Sequence, residues 1–231
     1  MKVCIVIPAY NEASAIGCVV GGIKKELQRT SYSYEIVVVN DGSTDQTAYI
    51  AKKAGATVIH HILNSGAGSA SATGLSYANQ NGFEIAATMD ADGQHLPKDV
   101  LTGISTMAKD NIDLLIGSRL IDSRGMSKVK ILGNKGLSII TYILFGIKVT
   151  DSQSGLRIFS KASLQKLRWK TSGYEFCSEM LWRARQQGLK IDEFPAKAVY
   201  TEYSKIKGQN NWNAVNIIKS LLMRRIMETF S

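Results

Sequence analysis

Glu35-Ile36-Val37-Val38-Val39-Asn40-Asp41-Gly42-Ser43-Thr44-Asp45 passes from an almost purely apolar run into polar, turn-forming residues. Such a run suits a strand buried on both faces, where neither side is left for water. The polar residues that follow favour a loop, and Ser43 or Thr44 is fit to cap a helix after it. Outward from this unit the pattern repeats. Residues 3–7, 56–60, 84–90 and 113–117 read as further strands. Helical patterns cover about 14–29 (with Ser14 as a cap), 44–54, 69–81 and 97–107. Strands alternating with helices predict an α/β protein with a doubly wound, mostly parallel sheet flanked by helices.

In such sheets ligands bind beyond the carboxyl ends of the strands. Those ends carry Pro8-Ala9-Tyr10-Asn11-Glu12, then Asn40 to Asp45, then Asp90-Ala91-Asp92-Gly93-Gln94-His95, so acidic and polar residues collect on one edge. The second half is less regular: a basic loop (118–130), an apolar segment (131–149), the stretch Asp151 to Arg157, a helix around 175–187 and a strand at 190–194. A terminal helix from about Trp212 spaces Val215, Ile218, Leu222 and Ile226 along one face. We expect a main domain over 1–210 and a basic amphipathic helix over 211–231.

Of the 231 residues, 1–116 carry 8 Lys/Arg against 11 Asp/Glu, a net −3; 117–231 carry 20 against 8, a net +12. That imbalance implies an anionic partner for the second half, or else a solvated basic face. Cys4, Cys18 and Cys177 lack metal-ligand spacing and read as small buried residues of a reducing, cytosolic compartment. The apolar start stops at Pro8 without the marks of a signal peptide. The segment 137–149 falls short of the ~20 residues a membrane span needs, so any membrane contact is expected to be peripheral.

Asp90-Ala91-Asp92 is the most informative element. Alternate residues of a strand-end turn can aim two carboxylates at one point, where they repel and one pKa rises. Mg²⁺ or Mn²⁺ resolves that conflict by bridging carboxylates to substrate phosphates, and Gln94 offers a neutral oxygen beside them. The alternative is an Asx-turn with solvated carboxylates; the buried strand before it and Gln94-His95-Leu96-Pro97 after it favour the metal. Asp41 is placed to accept hydrogen bonds from a base or ribose, or simply to shape a βα loop. Asn64-Ser65-Gly66-Ala67-Gly68 opens a helix as phosphate-cradling loops do, but close helix–sheet packing explains it equally.

Taken in order over about residues 1–205, these motifs, with Gly117-Ser118-Arg119, Ser154-Gly155-Leu156-Arg157 and Glu193-Phe194-Pro195, resemble the family-2 glycosyltransferases of GT-A fold. Within them the chain looks like the polyprenyl-phosphate glycosyltransferases typified by dolichol-phosphate mannosyltransferase. The resemblance implies a nucleotide pocket lined by Pro8, Tyr10, Glu12, Asp41, Gly68 and Asp90. It implies a Mg²⁺ or Mn²⁺ site at Asp90, Asp92 and Gln94, with Asp92 catalytic. It places the acceptor's phosphate on Arg119, with Lys130, Asn134 and Lys205 as further contacts. Lys130 and Asn134 stand where the mannosyltransferases carry Arg and Ser, and the family's late Arg-x-x-Gly-x-Ser-Lys element is altered around Lys205.

The expected activity is inverting transfer from a UDP- or GDP-sugar to a lipid phosphate at the cytosolic face of a membrane. A phosphate acceptor is already anionic and needs cations to position it. A hydroxyl acceptor needs a general base, and Glu179 is the one carboxylate nominated for that role; otherwise it orients a neighbouring arginine. A transferase acting on a glycan hydroxyl, and a non-catalytic sugar-nucleotide-binding module, are the competing readings. Nucleic acid is not an expected partner: it would call for basic residues interleaved with exposed aromatics on an RNA-binding motif, and the acidic metal loop argues against it.

Overall fold

The computed structural model describes residues 1–199, 218–221 and 223. Its first half follows the expected alternation: β1 (Lys2–Ala9), α1 (Ile16–Leu27), β2 (Ser33–Asp41), α2 (Thr47–Lys53), β3 (Thr57–His61), α3 (Ala67–Gln80), β4 (Ile85–Thr88), α4 (Pro97–Lys109) and β5 (Leu114–Ser118). After these come α5 (Lys128–Phe145), β6 (Arg157–Ser160), α6 (Lys161–Lys166), α7 (Phe176–Gln186) and β7 (Ile191–Pro195). The strands form one seven-stranded sheet in the order β3-β2-β1-β4-β6-β5-β7.

Strand periodicity divides the core in two. Val3, Ile5, Ile7, Ile36 and Val38 face one side, against Ile16, Val20 and Ile23 of α1 and Val100 and Ile104 of α4. Cys4, Val6, Val37 and Val39 face the other, against Ala70 and Leu75 of α3, Leu137 and Phe145 of α5, and Met180 and Leu181 of α7. Burial of both faces is the physical reason these strands contain so little polarity.

Several local expectations are corrected. Ser14 does not cap α1, whose preceding residue Ala15 makes no side-chain capping bond. The basic loop ends early, because Ser127 caps α5 and the helix begins at Lys128. Cys18 is exposed, whereas Cys4 and Cys177 are buried, with thiols pushed up to about 12 and about 11 by burial. Strand β6, unforeseen, runs antiparallel to both β4 and β5. Reversal has a consequence: the start of β6 lies at the same edge as the ends of β4 and β5, so residues 150–156 turn into the ligand-binding edge.

The apolar segment resolves into a two-sided helix. Leu137, Ser138, Thr141 and Phe145 are buried, while Val129, Leu132, Ile139, Tyr142 and Ile143 are exposed. Of the terminal helix, residues 218–221 and 223 are helical; Leu221 is fully buried in the α3/α5/α7 core and Ile218 packs against it. Lys205 and the rest of 200–231 lie outside the described residues. No described helix is long and apolar enough to cross a membrane.

Candidate active site

The carboxyl ends of β1, β2 and β4 carry the residues singled out from sequence. Tyr10 is exposed, Pro8 half-buried, and Glu12 and Asp41 buried. Backbone bonds fix this edge. Glu12 N–H donates to Thr47 Oγ1 at 2.7 Å, and Asn11, the one non-glycine residue at positive φ (53°) among the described residues, accepts from Thr44 N–H through Oδ1 at 2.9 Å. Asp41 accepts from the amides of Ser65 (2.9 Å) and Gly66 (2.8 Å) and pairs with His61 Nδ1 at 2.7 Å. Its carboxylate therefore shapes the loop before α3 as well as facing the strand ends.

Gly68 departs from its expected role. Its N–H donates to the Ser172 carbonyl at 2.7 Å, and a Cβ there would lie 2.5 Å from the Thr171 oxygen. Close packing of the first turn of α3 against the 171–172 loop explains the glycine, and its N–H is taken by the Ser172 carbonyl.

The Asp90–Asp92 pair shows the predicted conflict. Burial alone would push the Asp90 carboxyl up. His95, whose Nε2 lies 3.1 Å from Oδ2, and the charges of Arg119 and Arg157 outweigh that and hold it below its ordinary value. Asp92 is pushed up, first by burial and then by the negative charge of Asp90. Two carboxylates driven apart in this way mark a pair whose second negative charge is left uncompensated at Asp92. Gln94 donates to Asp92 through N–H at 2.9 Å and through Nε2 at 2.7 Å. The side-chain amide thus steadies Asp92, and the expected oxygen ligation by Gln94 is not the arrangement seen.

Among the described residues, the buried side-chain atoms without a hydrogen-bond partner are Asn40 Oδ1 and His95 Nδ1. Both belong to strand-end motifs, where unsatisfied polar atoms point to function. No group of three or more His, Cys, Asp or Glu side chains able to hold a metal occurs among the described residues. A Mg²⁺ or Mn²⁺ ion nevertheless fits two carboxylates in like-charge conflict, because such ions take one or two protein carboxylates and complete their shell with substrate phosphates and water.

The reversed strand β6 supplies the opposite wall. Gly155 lies against Asp90: a Cβ there would fall 2.3 Å from Oδ1, so only glycine permits the approach. Arg119, at the end of β5, grips Asp151 with Nε (2.7 Å) and Nη2 (2.9 Å) in a bidentate pair. Asp151 is fully buried, and Arg119 holds it below the usual carboxylate range despite that burial. Glu193 holds the same turn by accepting from the amides of Thr150 (2.7 Å) and Asp151 (3.1 Å). Lys130, half-buried on α5, is lowered first by burial and then by Arg119, and raised by Asp92, so its ammonium shares their surroundings. Asn134 lies one turn further along α5 and is half-buried.

Glu179 is engaged by the protein itself in this geometry. It is fully buried and accepts from Lys170 N–H, Thr171 N–H (2.9 Å), Thr171 Oγ1 (2.7 Å) and Arg183 Nε (3.4 Å). A carboxylate so satisfied pins the 170–171 loop; its pairing with a nearby arginine is the other role foreseen for it.

Three residues escaped the sequence reading. Asp151 orients Arg119. Arg157, 1% exposed, donates to the carbonyls of Ser152, Ser154 and Cys177 and lends positive charge towards Asp90. Tyr174 presents a hydroxyl raised by burial and by the charges of Asp90, Asp92 and Glu12. The first two were quoted in motifs, but nothing in their spacing shows a bidentate pair or a buried cation.

Comparison with known proteins bears on the family and the fold. The model of glycosyl transferase family 2 matches residues 4–168. An uncharacterized protein of Methanocaldococcus jannaschii is 43% identical, covering 97% of this chain and 93% of its own. A UDP-N-acetylglucosamine–dolichyl-phosphate N-acetylglucosaminyltransferase of Methanococcus voltae is 39% identical over 96% of this chain and 95% of its own. Among solved structures, glucosyl-3-phosphoglycerate synthase of Mycobacterium tuberculosis, in complex with Mn²⁺, UDP-glucose and phosphoglyceric acid, superposes with a TM-score of 0.70. It is 20% identical, covering 95% of this chain and 79% of that one, a likeness of fold alone. With its GT-A fold, its strand-end motifs and its matched family model, this chain belongs to glycosyl transferase family 2.

Proposed function

We propose that this protein transfers a sugar, with inversion, from a nucleoside-diphosphate sugar to a polyprenyl phosphate at the cytosolic surface of a membrane. The observation that carries the reading is the bidentate Asp151 grip that fixes Arg119 at the end of β5, whose charge, with that of Lys130, acts on the Asp90–Asp92 pair. An anionic acceptor there lies against the donor's diphosphate end. The relative from Methanococcus voltae, named for a dolichyl-phosphate acceptor, supports it.

Donor binding falls to the acidic edge. Pro8, Tyr10, Glu12 and Asp41 bound the nucleotide space, and Asp90 and Asp92 hold a Mg²⁺ or Mn²⁺ ion. That ion, when bound, screens the charge that develops on the departing diphosphate. Arg119, locked by Asp151, and Lys130 draw in the acceptor phosphate, with Asn134 as a neutral contact. A phosphate oxygen attacks the anomeric carbon from the face opposite the leaving group. The new carbon–oxygen bond forms as the bond to the diphosphate breaks, and the electron pair leaves on the nucleoside diphosphate. The nucleophile carries no proton at neutral pH, so no base is required, consistent with Glu179 being buried and fully engaged.

The test is an acceptor panel with UDP- and GDP-sugars and Mg²⁺ or Mn²⁺: a polyprenyl phosphate, 3-phosphoglycerate and a glycan bearing free hydroxyls. Glycolipid formed from the polyprenyl phosphate alone is the expected result. Preference for a hydroxyl acceptor would overturn the acceptor assignment. Donor binding without turnover on any acceptor would leave only a sugar-nucleotide-binding module.

A further inference from the structure

The outer side of α5 is unusual for a globular protein. Val129, Leu132, Ile139 and Ile143 are spaced at intervals that place them on one helix face, with Gly136 between them. They are 69, 75, 57 and 71% exposed. Exposed apolar side chains scattered singly need no explanation, but an aligned stripe does. The helix bears Lys128, Lys130 and Lys135 and no acidic residue.

On the flank of this helix lies a groove of about 590 Å³ between α5, Leu120 and the segment 148–150. Ile139 and Tyr142 form its outer rim and belong to the exposed apolar surface. Val149 and Leu120 make it apolar within, and Lys135 and Lys148 are the two charged residues that line it. Neither lysine pairs with a carboxylate among the described residues. The acids that meet the 148–150 side are already engaged, Glu193 by the Thr150 and Asp151 amides and Asp151 by Arg119.

We propose that this groove binds the headgroup phosphate of an anionic membrane lipid between Lys135 and Lys148, while the outer stripe of α5 enters the interface. Apolar walls with cations at the rim match an anionic amphiphile: charge alone would not require the apolar walls, and an isoprenoid chain alone would not require the lysines. A helix that inserts its apolar face and draws on anionic headgroups is held by both terms together. The site deepens the lipid-acceptor reading and rests on it. Leu120 and Thr150 adjoin Arg119 and Asp151 in the chain, so a membrane held here lies beside the acceptor cations.

The experiment is cosedimentation of the full chain with vesicles of phosphatidylcholine alone, or with about 30% phosphatidylglycerol, alongside transfer to a short-chain prenyl phosphate in detergent. Wild type should prefer the anionic vesicles. The double variant Lys135→Glu/Lys148→Glu should lose that preference by about tenfold or more, and Ile139→Ser/Ile143→Ser should bind neither vesicle well. Both should keep wild-type turnover in detergent, which also reports their folding. Equal wild-type binding to both vesicles, or anionic binding untouched by charge reversal, overturns the proposal. So does charge reversal that raises the prenyl phosphate KM in detergent, because the groove would then serve the acceptor itself. Vesicle binding needs no catalysis, so an absent transferase activity would sink the proposed reaction while leaving this result readable.

Discussion

Asp90 and Asp92 on one wall of the site, and the buried Asp151 and Glu179, are acids of the same kind put to opposite uses. Asp151 is matched by a bidentate arginine, and Glu179 by two amides, a hydroxyl and an arginine. Asp90 and Asp92 are matched mainly by one histidine and one glutamine, and push against each other. A carboxylate compensated from within holds structure. A pair left in conflict holds a place for a cation.

The sharpest way to break that contrast is Asp92→Ala. Loss of the ligand that screens the leaving group removes several kcal/mol of transition-state stabilisation, or roughly a thousandfold in kcat. Thermal stability should hold or rise slightly, because a repulsion is relieved. Turnover within tenfold of wild type would remove Asp92 from the donor site.

Glu179→Ala should do the reverse. Removing a buried carboxylate strands the Thr171 amide and the Arg183 guanidinium, at a cost of about 3 kcal/mol. Calorimetry should register that cost, while kcat per folded molecule stays near wild type. A general base would instead lose about 10²–10⁴ in rate with its fold intact; that outcome would restore Glu179 to the chemistry and reopen the hydroxyl acceptor.

How much of this contrast was legible beforehand depends on the range of the forces. The strands of the first half could be read because burial on both faces writes an apolar run into consecutive residues. The like-charge pair could be read because both members share one turn. Strand β6 escaped because it is four residues long, begins with a buried arginine and gains its place only by pairing with β4 and β5. The arginine partner of Glu179 could be read because Arg183 follows it by one helical turn, whereas Lys170 and Thr171 reach it through a loop whose course no periodicity encodes. Gly68 left phosphate cradling and helix–sheet packing open in sequence, and the contact found is a third, with the 171–172 loop.

Arg119 tests the seam between the two kinds of acid, since one side of it is bound to Asp151 and its charge reaches Asp90. Arg119→Ala should raise the acceptor KM by about 10–100-fold, the worth of one or two charge-assisted hydrogen bonds, with the donor KM changed much less. Equal changes in both would mean that the arginine only supports the fold.

The smallest effect is in acid. Asp151 is held below its ordinary value of 3.8, so the unfolded chain binds its proton first as pH falls. Its contribution is complete above that value and is lost as pH drops from 3.8 towards the lower folded pKa. Asp92 has the opposite sign: raised in the fold, it releases its proton later than the unfolded chain does, and stability declines as pH climbs from 3.8 through its raised pKa. Asp151→Asn should therefore flatten the acid limb of a Tm-versus-pH curve, though it lowers Tm at neutral pH by unpairing Arg119. Asp92→Asn should lift the curve above pH 3.8 and leave the acid limb alone. If the two variants moved the curve in the same direction at pH 5–6, the division between compensated and conflicted carboxylates would be wrong.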